Sequence, residues 1–168
     1  GIYSAQRYVR ACRLIDSADE SGVTITHVLR RMARDLAGED GTPCPGSVNG
    51  PEGALPSVLS TDNTISRATS VSAAVFAGVR PGEDPRLTTM WTILGDPKFS
   101  IAVPCWVHID SVADPLDGEH GGEIGEAART LRDASVISGT KDIMTDLLPG
   151  IWEDLWPLED ELLDETTT

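Results

Sequence analysis

Cations are scarce in this chain. Thirteen Lys and Arg stand against twenty-seven Asp and Glu, a formal net charge of −14. Nucleic acid and anionic membrane surfaces both need clustered positive charge, so neither is expected as a partner. Long hydrophobic runs are also missing, and no stretch approaches the ~20 apolar residues of a membrane span. The only cysteines are Cys12, Cys44 and Cys105. No two of them stand in CxxC spacing, which argues against a zinc site. One disulfide with a spare thiol and three free thiols both fit, so the redox compartment stays open. There is no initiating Met and no signal peptide, and no internal repeat. The chain opens on Gly1 beside a helix start and reads as a cut product or fragment. What remains is 168 residues, 40% of them hydrophobic. That suffices for one globular domain or one part of a larger one.

The organising stretch is Ser66 to Val107, which reads as three strands in close succession. The first is expected over Ser66 to Ala77, rich in Ala, Val, Ser and Thr. The second, Leu87 to Leu94, alternates with period two, setting Leu87, Thr89, Trp91 and Ile93 against Thr88, Met90, Thr92 and Leu94. Gly95-Asp96-Pro97-Lys98 is a turn, and Phe99 to Val107 is the third strand. Strands joined so tightly must be antiparallel, because a parallel crossover needs a dozen residues or more. Both faces are fairly apolar, so the sheet is expected to be covered on both sides.

Around this sheet the pattern is helical. Ser4 is placed to cap a helix running to about Ser17, with Tyr8, Val9, Cys12 and Ile15 at helical spacing. A second helix is expected from about Val23 or Thr24 to Ala37, with Thr24 or Ser21 as cap and Gly38 closing it. Its buried stripe is Ile25, Val28, Leu29, Met32 and Leu36, which leaves Arg30, Arg31 and Arg34 outside and His27 at the surface. Gly38 to Thr61 is a long Gly- and Pro-rich loop. A further helix is predicted over 122–133, and 145–168 has helical character interrupted by Pro149-Gly150 and Pro157. The order helix, strand, helix gives an α+β class in a single partial domain, 1–168, with 151–168 as an acidic terminal helix or tail.

Several clusters carry possible chemistry. His108, Asp110, Asp114, Asp117, Glu119 and His120 are the densest set of metal-ligand types, yet their spacing matches no EF-hand or zinc motif. A solvated acidic loop is the favoured reading, and no metal or cofactor is assigned. Trp152, Leu155, Trp156 and Leu158 in the acidic tail have the look of a helix that enters a partner's groove, but a terminal helix docked on its own domain explains them as well. Cys44 sits in a loop, flanked by Pro43 and Pro45, without the neighbouring base or cation a reactive thiol needs.

The segment Tyr3-Ser4-Ala5-Gln6-Arg7-Tyr8-Val9-Arg10-Ala11 stands apart. Its pattern S-x-x-R-[FY]-V-R-A resembles a segment of the choloylglycine hydrolase and penicillin V acylase group of N-terminal-nucleophile hydrolases. Thr24 to Leu36, Ala68 to Ala77 and Thr88 to Pro97 follow in an order similar to that group. A related branch, the acyltransferase-like secreted hydrolases, is similar around Asp62-Asn63-Thr64-Ile65-Ser66-Arg67 and Gly82-Glu83-Asp84-Pro85. The resemblance covers about Gly1 to Val107.

It implies an αββα sandwich of two stacked antiparallel sheets covered by helices. It also implies a nucleophilic cysteine at a mature N-terminus and cleavage of linear, non-peptide amides through an acyl-enzyme. Arg7 matches the arginine that lies beside the nucleophile and is the one catalytic residue this resemblance assigns. Read from the residues alone, Arg7 and Arg10 are equally ordinary arginines of an amphipathic helix. Gly1 cannot be the nucleophile, so the implied cysteine would lie upstream, and this polypeptide by itself should be inactive. The implied partners are the N-terminal half of the same domain and a small amide substrate. A secreted or periplasmic location would follow from the family alone. The alternative is a non-catalytic α+β interaction module that uses its acidic Trp-containing tail.

Overall fold

The computed structural model describes residues 2–19, 22–37, 56–118 and 122–167. The expected loop from Gly38 lies mostly outside these residues, as do Cys44, Glu119 and His120. The chain divides into two compact units. The first comprises residues 1–70 and 133–150, the second 71–132 and 151–168.

In the first unit, α1 spans Ile2–Asp16. It begins before Ser4, so that residue lies within the helix and is not its cap. The second expected helix is present but wound differently. Thr24 caps it as anticipated, its Oγ1 accepting the His27 N–H at 3.1 Å. From His27 to Met32 the winding is π, and Ala33 donates to the carbonyl of Val28 at 2.8 Å. This change of phase accounts for a correction: a stripe laid out at α spacing puts His27, Arg30 and Arg34 outside, whereas all three are buried. His27 Nε2 is hydrogen-bonded to the Leu14 carbonyl at 2.8 Å, and Arg34 Nη1 donates to the Leu29 carbonyl at 3.3 Å. Buried polar groups are tolerated when bonded in this way.

The same unit contains a two-stranded antiparallel ladder, β1 (Val58–Ser60) with β5 (Asp142–Met144), centred on Leu59 opposite Ile143. Between β1 and the next strand the chain does not extend from Ser66 as anticipated. Thr61 Oγ1 accepts the Ala68 N–H at 2.8 Å and donates to the Lys141 carbonyl at 2.7 Å. Thr64 Oγ1 bonds the Thr61 and Ser66 carbonyls, and the Ser66 N–H reaches the Asp35 carbonyl at 2.9 Å. Short hydroxyl side chains here capture backbone groups that a strand would have used.

The second unit is built on a three-stranded antiparallel sheet in the order β2 (Ser72–Ala77), β3 (Thr89–Leu94), β4 (Ala102–Trp106). The β3–β4 connection uses the expected turn. Gly95 takes φ +85°, and a Cβ there would lie 2.6 Å from the Cβ of Ala128. Only glycine both adopts this conformation cheaply and permits so close an approach. Asp96 then accepts the Lys98 N–H at 3.1 Å and starts a short 3-10 turn, Pro97–Phe99.

The register places Ala73, Ile93 and Ala102 in one row and Val75, Trp91 and Pro104 in the next. Trp91, Ile93 and Ala102 are fully buried, which marks the sealed face. On the opposite face the rows are Phe76–Met90–Cys105 and Ala74–Thr92–Val103. That face is apolar yet open: Phe76 is 75% exposed, Ala74 is exposed, and Met90, Val103 and Cys105 are half-buried. Among the described residues of this unit the second face is therefore not covered, where its apolar character suggested cover.

Helix α2 spans Gly122–Ser135, and its stripe presents Ala128, which is buried. Helix α3 runs without a break from Leu148 to Thr167. Pro149 falls in its first turn, where a missing N–H costs nothing, and Pro157 is accommodated inside it. The expected interruptions are thus absent. The architecture is α+β, with antiparallel sheets and helices. No described helix is long and apolar enough to cross a membrane.

Candidate functional site

Helix α1 presents Arg7 and Arg10 three residues apart, close to one helical turn, so their side chains leave neighbouring parts of one face. They meet different partners. Arg10 makes a forked ion pair with Asp35: Nη2 to Oδ1 is 2.7 Å, and Nε lies 3.2 and 3.1 Å from Oδ1 and Oδ2. Asp35 is almost wholly buried, and the Arg10 side chain is 12% exposed. Burial raises the Asp35 carboxyl above its ordinary range, opposed by the hydrogen bond and charge of Arg10. Asp35 also ties the segment after β1 to this helix, since its carbonyl accepts the Ser66 N–H. This pair is an internal brace.

Arg7 is the residue the sequence singled out. Its side chain is half-buried, and Nη1 donates to the backbone carbonyl of Asp62 at 3.2 Å, fifty-five residues along the chain. The Asp62 carboxylate in turn pairs with Lys141 Nζ at 2.7 Å. Asp62 is held in place by its neighbours, because the Thr61 N–H and hydroxyl both bond the Lys141 carbonyl. The next residue, Asn63, has a buried Oδ1 without a hydrogen-bond partner. Buried acceptors are usually satisfied, so an unpartnered one is where a water or ligand gains most by arriving. The site is thus a guanidinium anchored on a carbonyl, an Asp–Lys pair and a buried amide oxygen. It can stabilise an anion; nothing in it supplies a nucleophile.

Other sequence candidates fall elsewhere. Cys12 and Cys105 are free thiols. Burial raises the thiol of Cys105, so it is not an activated thiolate. Among the described residues no three His, Cys, Asp or Glu side chains converge on a possible metal site. Trp152 is buried within its own unit, donating Nε1–H to the Lys98 carbonyl at 3.0 Å and stacking on Trp156 with ring centroids 5.5 Å apart.

Sequence reasoning missed the most buried charges. Lys98 Nζ contacts Asp96 Oδ1 at 2.8 Å with both side chains fully buried, and Arg132 stands 3.9 Å from Asp96 Oδ2. Burial raises Asp96 and lowers Lys98, each shift being opposed by the charge of the other. Gly95-Asp96-Pro97-Lys98 has the composition of a solvated turn, and no local signal in it distinguishes an interior one. Asp62 lies in a stretch quoted for the resemblance, but its pairing with Lys141 was equally hidden, the two being seventy-nine positions apart in the sequence.

Comparison with protein-family models, curated proteins and solved structures finds no match.

Proposed function

We propose that this chain is the C-terminal part of an amide hydrolase or acyltransferase of the N-terminal-nucleophile type, acting on linear non-peptide amides. The observation that carries the reading is the Arg7–Asp62 hydrogen bond. The two stretches that resemble this group, around Arg7 and around Asp62 to Arg67, are far apart in sequence and meet at the guanidinium. The open apolar face of β2–β3–β4 agrees with it, since one layer of an αββα sandwich needs such a face for the second sheet.

In this reading a cysteine thiolate, activated by its own α-amino group, attacks the amide carbonyl. The amine leaves, and water releases the acid from the thioester. Arg7 would stabilise the thiolate and the oxyanion of the tetrahedral intermediate, a role that a permanent, planar cation can fill. The alternative, an interaction module using the acidic tail, has Trp152 already engaged by Lys98 and stacked on Trp156.

The test is intact mass and N-terminal sequencing of the protein from its native host, followed by incubation with a panel of N-acyl amides. The expected result is a longer chain beginning with Cys that acquires a transient acyl mass and releases free acid. A native start at Gly1 with no second chain copurifying would overturn the proposal.

A further inference from the structure

A second feature, in the unit that does not contain Arg7, rests on neither that residue nor the hydrolase reading. Between α2, α3 and the segment that enters β4 lies a cavity of about 260 Å³. Its wall is Phe99, Ile101, Ile124, Leu131, Ile151 and Leu155, with Ala127 at the helix α2 side. It is larger than the ~150 Å³ apolar cavity known to take up benzene, and close to the range of small-molecule pockets.

Two polar side chains join this lining, Ser100 and Asp154. Ser100 is buried, at 3% exposure. Asp154 is exposed and has no ion-pair or hydrogen-bond partner among the described residues. Nor does its own helix offer one, for no Lys, Arg or His occurs from Ile151 to the end of α3. A carboxylate at the rim of a hydrocarbon-lined cavity is selective. It repels fatty acids and other anionic amphiphiles, leaves neutral ones indifferent, and pairs with a cation whose body fills the cavity.

We propose that this cavity binds an amphiphilic amine, a chain or aryl body carrying a primary ammonium, with the body against Phe99, Ile101 and Leu131 and the ammonium on Asp154. The apolar body supplies most of the affinity and the carboxylate the choice of head group.

Calorimetric titration of the whole chain with octylamine, octanol, octanoate and methylamine, each below its aggregation limit, tests this. The expected order is octylamine first, octanol about fivefold weaker, as an exposed ion pair allows, and no binding of octanoate or methylamine. Asp154→Asn should reduce octylamine to the level of octanol without changing octanol. Because Asp154 is exposed, this variant keeps the fold, which circular dichroism verifies. Ala127→Met, which narrows the cavity, should weaken octylamine and octanol together. Octanoate binding as well as octylamine would overturn the proposal, as would methylamine binding equally well, indifference to Asp154→Asn, or no binding of any probe.

Discussion

The carboxylate of Glu159 is completely buried on α3, and its Oε1 accepts the backbone N–H of Ala102 at 2.7 Å. Ala102 is the first residue of β4, so a helix side chain satisfies a donor at the point where the strand joins its sheet. Glu159→Leu leaves that buried N–H without its acceptor and should cost about 1–3 kcal/mol. Glu159→Gln, which retains a carbonyl oxygen, should lose less. Urea denaturation compares the two, and equal midpoints would remove this role.

Arg10 and Asp35 give a pH-dependent prediction. Arg10→Ala strands a buried carboxylate and should destabilise by about 3 kcal/mol near neutral pH. The folded pKa of Asp35 is already raised above 3.8 by burial, and loss of Arg10 raises it further. A raised carboxyl favours the folded state while protonated, and this contribution disappears as pH rises through the folded pKa. The deficit of Arg10→Ala should therefore be smallest in acid and grow as pH rises above 3.8. A deficit that stays constant across that window would contradict the assignment.

Arg7 behaves differently under the same treatment. It is half-buried and bonds a backbone carbonyl rather than a buried carboxylate, so Arg7→Ala should cost less stability than Arg10→Ala, on the order of 1 kcal/mol for that bond. In the longer, cysteine-initiated protein the same change should lower kcat by about a hundredfold or more. Unchanged turnover would exclude Arg7 from the chemistry.

Phe76 stands on the open face of the sheet, on the edge strand β2. Exposed apolar faces and unpaired edges favour association. Phe76→Ser in this chain should therefore reduce self-association in sedimentation while leaving Tm nearly unchanged. In a protein with the second sheet present, the same change should cost about 3 kcal/mol, as burial of the ring predicts. A lowered Tm in the chain alone would mean that this face is already packed.

Gly95→Ala combines a φ of +85° with a Cβ placed 2.6 Å from the Ala128 Cβ. The strain and overpacking together should cost about 2–4 kcal/mol. Adding Ala128→Gly relieves only the contact, so the double variant should recover part of the loss, measured by thermal unfolding. Full recovery would show that backbone conformation costs nothing here.

Period and punctuation revealed β3, its turn, β4 and α2 because each of these is organised by neighbours in sequence. Thr24 was recognisable as a cap for the same reason. The π-wound segment was not, since its hydrophobic stripe is counted at the wrong pitch and buried His27, Arg30 and Arg34 resemble surface residues. The start of β2 was misplaced because the residues from Ser66 have the composition of a strand, but their backbone groups are taken by the Asp35 carbonyl and the hydroxyls of Thr61 and Thr64. Helix α3 shows the converse: Pro149 and Pro157 read as breaks, yet the first falls in the opening turn and the second is tolerated. At the candidate site Arg7 was found only through resemblance. Asp62 and Lys141 join it through long-range pairing, which composition does not encode.

The way the chain is shared between its two units has a kinetic consequence. β1 can close only on β5, and Thr61 must meet the Lys141 carbonyl eighty residues later. During synthesis at 5–20 residues per second, that separation is roughly four to sixteen seconds. The sheet β2–β3–β4 is complete well before then, but the residues of α3 that belong with it are made later than Lys141. The first unit thus waits for the middle of the second to be made, and the second waits for α3. Neither unit is a contiguous stretch that can be expressed alone, and a ribosome stalled before Lys141 leaves both unfinished.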